Sequence, residues 1–99
     1  MSLAELFDAA AASLDAVDRR EADRVVEFLI EGRPFAALAD GTAEFRLGPQ
    51  VARAALGTPD AARSPRGPDW VAFRPLELDR FASDRATAWF LSAWRYSRS

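Results

Sequence analysis

The dipeptide Asp40-Gly41 constrains the fold of this chain more than any other feature of its sequence. It separates two short segments, 35–39 and 42–47, and the second of them alternates apolar and polar residues. Asp-Gly is a strong signal for the two-residue turn of a β-hairpin, because such turns need positive φ angles that glycine adopts without steric cost. The two segments are therefore predicted to pair as antiparallel strands.

Two further segments extend this hairpin into a sheet of about four strands. Residues 23–30 become β-branched and aromatic and lead into a turn at 31–34, as expected of a preceding strand. Trp70–Phe73 is predicted as the fourth strand, because it follows a loop over 58–69 with three prolines and is closed by Pro75.

Helical spacing is evident before and after the first three strands. Ser2 and Glu5 have the spacing of a capping box, and apolar residues recur every three or four positions over 3–17. A short helix is predicted over 50–56, because Gly48-Pro49 stops the strand and proline suits a first helical turn. Val51 and Ala55 are expected on its inner side.

The last predicted helix begins near Leu78 or Ser83 and ends near Tyr96. One face carries an apolar stripe at helical spacing: Leu78, Phe81, Ala82, Ala86, Trp89, Phe90, Ala93 and Trp94. The predicted fold is therefore α+β, in the order α-βββ-α-β-α. Its two longer helices pack on one face of an antiparallel sheet, because a sheet this small needs helical cover.

Composition excludes many kinds of chemistry. The 99 residues fit one domain, 1–99, and include neither histidine nor cysteine, which excludes catalytic triads, structural zinc sites and disulfides. All thirteen cations are arginines, a usage typical of GC-rich bacterial genomes. The net charge is −2, and the amino terminus lacks the pattern of a signal peptide. A cytoplasmic protein is predicted.

The carboxylates do not indicate an active site or a cofactor. Glu27, Asp40, Glu44 and Asp69 are the possible acid–base residues, and no spacing singles out a pair of them. The acidic residues of the first helix spread over three turns, which is typical of a solvated face and leaves cation binding as a weaker alternative. We therefore predict a binding protein that is not an enzyme and holds no cofactor and no metal.

Arginines late in the chain indicate one possible partner, a nucleic acid. Residues 61–99 carry seven arginines and four acids, whereas the first sixty residues carry six arginines and eleven acids. Arg63, Arg66 and Arg74 lie in or beside the proline-rich loop, and guanidinium groups bind phosphates bidentately. These three residues are predicted to bind nucleic acid, although an ordinary solvated surface has the same composition.

The aromatic carboxyl-terminal helix indicates a second possibility, a protein partner. Trp89 fits the buried stripe, whereas Trp94 and Tyr96 lie near the end of the helix. Aromatic side chains are enriched at the centres of protein interfaces. Trp94 and Tyr96 are therefore predicted to contact another protein or a second copy of the chain, as a homodimer or an adaptor.

Several short motifs resemble a known family. Gly32–Leu38 followed by Gly41 is similar to the core "G-K-x-F-A-L-x…G" of the MmcQ/YjbR-like proteins. The tryptophan strand Trp70–Phe73 and the aromatic ending Trp94–Ser97 match further marks of that family. The likeness spans Val25–Ser97. The small "luciferase domain" proteins, whose role is unknown, share the strand–loop–tryptophan pattern nearly as well.

The resemblance implies a frataxin-like (CyaY-like) α+β sandwich and, from the family's label, a DNA-binding role. The family often has a histidine and an asparagine in the loop before the tryptophan, whereas this chain has Ser64–Asp69 there. A function that depends on those two residues is therefore not expected of this chain.

Overall fold

The structure, a computed structural model, describes residues 2–98. These residues form three helices and one antiparallel sheet of six strands in the order β1-β2-β3-β4-β6-β5, which confirms the α+β class. The elements are α1 (Leu3–Ala12), β1 (Asp18–Ala22), β2 (Val25–Ile30), β3 (Arg33–Ala39), β4 (Thr42–Arg46), α2 (Pro49–Leu56), β5 (Ala61–Arg63), β6 (Trp70–Phe73) and α3 (Arg80–Arg98).

Three tight turns join the first four strands. The turns are Asp23-Arg24, Glu31-Gly32 and Asp40-Gly41, and both residues of each have positive φ angles between 50° and 77°. This combination defines the type I′ turn, whose twist matches that of paired strands. The hairpin predicted at Asp40-Gly41 is confirmed.

The prediction of about four strands is wrong, because two edge strands have no apolar pattern. β1 is charged and exposed along its whole length. β5 has only three residues and lies within the stretch predicted as a loop. Both strands depend on backbone pairing with a neighbour, β1 with β2 and β5 with β6. The observed order is therefore α-ββββ-α-ββ-α.

The two longer helices pack on the same face of the sheet. Phe7 of α1 and Phe90 of α3 both contact Phe28 of β2, with ring centroids 5.7 and 5.3 Å apart, and they contact each other at 4.9 Å. Phe45, Phe73 and Trp89 extend this aromatic core towards β6. The opposite side of the sheet, called the open face below, has no helix packed on it in residues 2–98.

The first helix is shorter than predicted. It ends at Ala12, where the Ser13 side chain donates a hydrogen bond to the carbonyl of Ala10. Ala16 has a positive φ of 61°, which no helix can continue through. Leu14 and Val17 still pack against the core, so their apolar spacing reflects burial rather than helix.

Two apolar residues predicted to point inward are exposed instead. In α2 the buried residues are Ala52 and Ala55, whereas Val51 is 38% exposed. In α3 Phe81 is 75% exposed, although it was included in the apolar stripe. At 3.6 residues per turn, the nine residues from Phe81 to Phe90 place the two on opposite sides of the helix, about 180° apart. Among residues 2–98 no helix is long and apolar enough to cross a membrane.

Candidate functional site

The three arginines predicted to bind nucleic acid lie in different places. Arg63 pairs with Val71, which faces the helices, so Arg63 lies on the helix-facing side of the sheet at its edge. Arg66 lies on the open face, where it binds two glutamates. Arg74 donates hydrogen bonds to the carbonyl of Asp40 and to the Thr42 hydroxyl, at 3.2 and 2.9 Å. The structure does not bring the three guanidinium groups together.

Arg66 is the centre of a polar cluster on the open face. Its Nη1 lies 2.9 Å from Glu27 of β2, and its Nε lies 3.0 Å from Glu44 of β4. Arg20 donates to Glu27 from β1, and the Ser64 hydroxyl donates to Glu44. We call Arg20, Glu27, Glu44, Ser64 and Arg66 the open-face cluster.

This cluster fastens the loop between β5 and β6 across the sheet. Glu27, Ala37 and Glu44 form one row across β2, β3 and β4. Arg66 spans that row, and Ala37 in its middle is completely buried although no helix covers this side. The guanidinium also lies 5.2 Å from the centre of the Trp70 ring. Only 26% of the Arg66 side chain is exposed. Arg66 therefore has a structural role, and we call its contacts with Glu27, Glu44 and Trp70 the clasp.

The charges of the cluster stabilise one another. Hydrogen bonding from Arg20 is the largest cause that lowers the pKa of Glu27, and it outweighs the opposing effect of burial. Burial acts to lower the pKa of Arg66, but the hydrogen bonds to Glu27 and Glu44 outweigh it and raise that pKa. Glu27 and Arg66 are therefore charged at neutral pH, and Glu27 is not suited to act as a general acid.

The two aromatic residues predicted to contact a partner are bound to the protein itself. The Trp94 indole donates a hydrogen bond to the carbonyl of Asp15 at 3.1 Å, and the Arg98 guanidinium lies 4.3 Å from its ring centre. The Tyr96 hydroxyl donates to Asp69 at 3.0 Å, which raises the pKa of the phenol. Trp94 and Tyr96 are partly exposed, and both have an intramolecular role.

Two acidic side chains of α1 have partners within the protein. Asp8 makes an ion pair with Arg19 of β1 at 3.3 Å. Glu5 accepts a hydrogen bond from the backbone of Ser2, which lowers its pKa and completes the predicted capping box. Within residues 2–98, no three acidic side chains are grouped so as to hold a metal ion.

Among residues 2–98, the most exposed large apolar side chains lie just before α3 and in its first turn. Leu76 is 98% exposed, and Phe81 follows it in the first turn of the helix. We call these two residues the apolar knob. Asp79 fixes the local structure between them, because its side chain accepts a hydrogen bond from the backbone of Ala82 at 2.9 Å.

A cleft of about 470 Å³ lies beside the 75–78 segment, which contains Leu76. Pro75 and Leu78, on either side of Leu76 in the chain, line the cleft together with the start of α1, the start of β2 and the end of β3. Apolar side chains provide most of the lining: Leu3, Ala4, Val26, Leu38, Pro75 and Leu78. Arg24 and Asp40 also line the cleft, and both residues are exposed.

The sequence contained a signal for part of this surface. The angular offset of about 180° between Phe81 and Phe90 is enough to place Phe81 outside the apolar stripe. The exposure of Leu76 and the cleft had no such signal, because they depend on how α1 and the 74–79 segment meet the sheet.

Comparison with known proteins does not identify a family for this chain. No family model, curated protein or solved structure matches this chain. The resemblance to the MmcQ/YjbR-like proteins therefore stays a prediction.

Proposed function

We propose that this chain is a non-enzymatic protein-binding module that uses the apolar knob and the adjacent cleft. The observation that carries the proposal is the exposure of Leu76 and Phe81, 98% and 75%, in a segment whose Pro75 and Leu78 line an apolar cleft. Single exposed apolar residues are common on protein surfaces. Two large ones in one short segment, 76–81, which also contributes Leu78 to an apolar cleft, are more typical of a protein interaction site.

The free energy available from this patch is substantial for a chain of this size. Complete burial of a leucine or phenylalanine side chain contributes about 1.5–3 kcal/mol. Burial of both knob residues by a partner would therefore contribute about 3–6 kcal/mol to binding. Domains of this kind are stable by only about 5–15 kcal/mol in total. A partner that covers the knob therefore gains a large part of its affinity there.

The sequence predicts a protein contact near the end of the aromatic carboxyl-terminal helix. The contact proposed here lies at the first turn of the same helix. Trp94 and Tyr96, near the other end of α3, already make hydrogen bonds within the protein. Phe81 is 75% exposed, so most of its surface is open to a partner. We therefore expect Phe81 to contribute more to binding than Trp94 or Tyr96.

Nucleic-acid binding is the alternative prediction, and the structure supports it less. Arg66 and Arg74 are engaged within the protein, so a phosphate would compete with their present partners. If the three arginines do bind phosphates, log affinity falls against log salt with a slope of about −2 to −3. Fluorescence anisotropy of labelled duplex and single strand measures this slope, and absence of binding at low salt would make the prediction wrong.

Membership of the MmcQ/YjbR-like family and its CyaY-like fold is a further proposal. It is supported by the motifs around Gly32–Leu38 and Trp70–Phe73, which form β3 and β6. It does not by itself assign a ligand, because one fold serves many functions.

Site-specific photo-crosslinking tests the protein-binding proposal. Benzoylphenylalanine in place of Phe81 is expected to give crosslinked adducts in cells that express the chain. The matched control carries the same group in place of Val51, which is also exposed but lies on α2. Adducts at position 81 and not at position 51 support the proposal, and equal or absent crosslinking at both positions refutes it.

A further inference from the structure

We propose that a cavity beside the carboxyl end of α3 binds a small oxyanion, meaning a phosphate or carboxylate group. The cavity has a volume of about 250 Å³, and three parts of the chain line it: Ala16, the turn region with Ile30, Glu31 and Arg33, and the end of α3 with Ser97 and Arg98. It lies roughly 24 Å along α3 from Phe81, so this inference does not depend on the proposed function.

The hydroxyl of Ser97 is the observation that points to a ligand. Ser97 is only 3% exposed. Among residues 2–98, its hydroxyl oxygen is the only buried side-chain polar atom without a hydrogen-bond partner. Nearly all buried polar groups of folded proteins have a partner, because an unpaired one has lost its bonds to water. Since Ser97 lines the cavity, a bound oxyanion supplies the acceptor that this hydroxyl needs.

Two arginines give the lining of the cavity an excess of positive charge. Arg33 and Arg98 both line it, together with one carboxylate, Glu31. Within residues 2–98 neither guanidinium forms an ion pair. Guanidinium groups bind carboxylates and phosphates bidentately, so these two arginines select an oxyanion rather than a neutral molecule.

The contacts of the two arginines hold them at the cavity. Arg33 donates from Nη2 to the carbonyl of Ser97 at 3.3 Å, which places its guanidinium beside the residue with the unpartnered hydroxyl. This bond uses one of the five N–H donors of Arg33, so others can reach an oxyanion. The Arg98 guanidinium lies 4.3 Å from the centre of the Trp94 ring, which is itself fixed by a hydrogen bond to the carbonyl of Asp15.

The size and surroundings of the cavity predict a small ligand that binds weakly. Pockets for drug-sized molecules measure roughly 300–1,000 Å³, so this cavity suits a smaller group. The carboxyl end of a helix carries a partial negative charge, which opposes an anion, and Glu31 does the same. Since a phosphate or carboxylate group has few atoms, we expect a dissociation constant on the order of 1 mM.

A titration followed by two-dimensional ¹H–¹⁵N NMR tests the proposal residue by residue. The two probes are inorganic phosphate and acetate, and sodium chloride at matched ionic strength is the reference. We expect saturable shifts of the amide signals at 31–33 and 97–98. The probe with the lower dissociation constant shows whether the group is a phosphate or a carboxylate. Shifts that do not saturate with either probe, or that chloride reproduces, overturn the proposal.

Arginine variants separate this site from a general attraction of anions. Arg33→Gln and Arg98→Gln each remove charge-assisted hydrogen bonds to the ligand and should weaken binding at least about tenfold. The matched control Arg63→Gln removes an exposed arginine from β5 and should bind the anion like wild type. Far-ultraviolet circular dichroism checks that each variant is folded. If all three variants bind like wild type, the proposal is overturned.

Ser97→Ala distinguishes a ligand contact from a structural role. Because the hydroxyl has no partner within residues 2–98, its removal should leave the urea midpoint in chloride unchanged or raised. The same change should weaken binding of the anion about two- to tenfold, as loss of one neutral hydrogen bond does. A variant that binds the anion as tightly as wild type, or that unfolds at a lower urea concentration in chloride, overturns the proposal.

Discussion

Replacement of Arg66 by glutamine is expected to destabilise the protein, although this residue lies in a loop. The change removes the ion pairs to Glu27 and Glu44, 2.9 and 3.0 Å long. It leaves two carboxylates on the open face, of which Glu27 keeps Arg20 and Glu44 keeps Ser64. Loss of the clasp also exposes Ala37 and frees the Trp70 ring on one side.

The magnitude lies between those of buried and exposed pairs. Hydrogen bonds to charged groups contribute about 1.5–3 kcal/mol each, whereas exposed ion pairs contribute about 0–1 kcal/mol. Since a quarter of the Arg66 side chain is exposed, we expect a loss of about 2 kcal/mol for Arg66→Gln. This corresponds to a fall of about 8–16 °C in Tm for a chain of this size.

Urea unfolding followed by tryptophan fluorescence measures the effect. The control is Arg63→Gln, which removes an exposed arginine three residues earlier and should change the free energy of unfolding by less than about 0.5 kcal/mol. A double-mutant cycle with Glu27→Gln should give a coupling above about 0.5 kcal/mol. If Arg66→Gln and Arg63→Gln unfold at the same urea concentration, the clasp contributes nothing and our reasoning is wrong.

Three further perturbations follow from the structure. Gly48→Ala should cost about 1–3 kcal/mol, because its φ is +83° and a Cβ would lie 2.6 Å from the Tyr96 ring; Tyr96→Ala in the same chain should reduce the cost measured by urea unfolding. Trp89→Ala should cost about 3–5 kcal/mol, since its ring packs against the aromatic core, and a loss below about 1 kcal/mol would contradict that packing. The lowered pKa of Glu27 means that its contribution is present above the usual glutamate pKa of about 4.3 and is lost as the pH falls through the lowered value. Unfolding at a series of acidic pH values should therefore show a shallower loss of stability for Glu27→Gln than for wild type.

The parts of the fold that could be predicted are those in which the local sequence pattern matches the burial of the residues. Asp40-Gly41 carries the glycine that its turn needs, so the central hairpin could be predicted. The turn Asp23-Arg24 has the same backbone conformation without a glycine, and β1 beyond it is charged throughout. No local rule identifies such a strand, because only its pairing with β2 holds it in the sheet.

The site was less predictable because its contacts join distant parts of the chain. Arg66 lies 39 residues from Glu27 and 22 from Glu44, so a single sequence gives no sign that they meet. Glu27 and Glu44 were considered as separate candidates for acid–base chemistry. The sheet register explains their actual role, since it places them in one row on either side of Ala37.

The charged strand β1 has a consequence for how copies of this protein meet. An open sheet exposes unpaired backbone groups at both edges, and such edges invite strand addition and aggregation. Here one edge is β1, where Asp18, Arg19, Arg20 and Glu21 are all exposed, and the other is β5, which has only three residues. The charged side chains of β1 protect the first edge, and the short length of β5 protects the second. Growth of the sheet into a fibre by strand addition is therefore disfavoured.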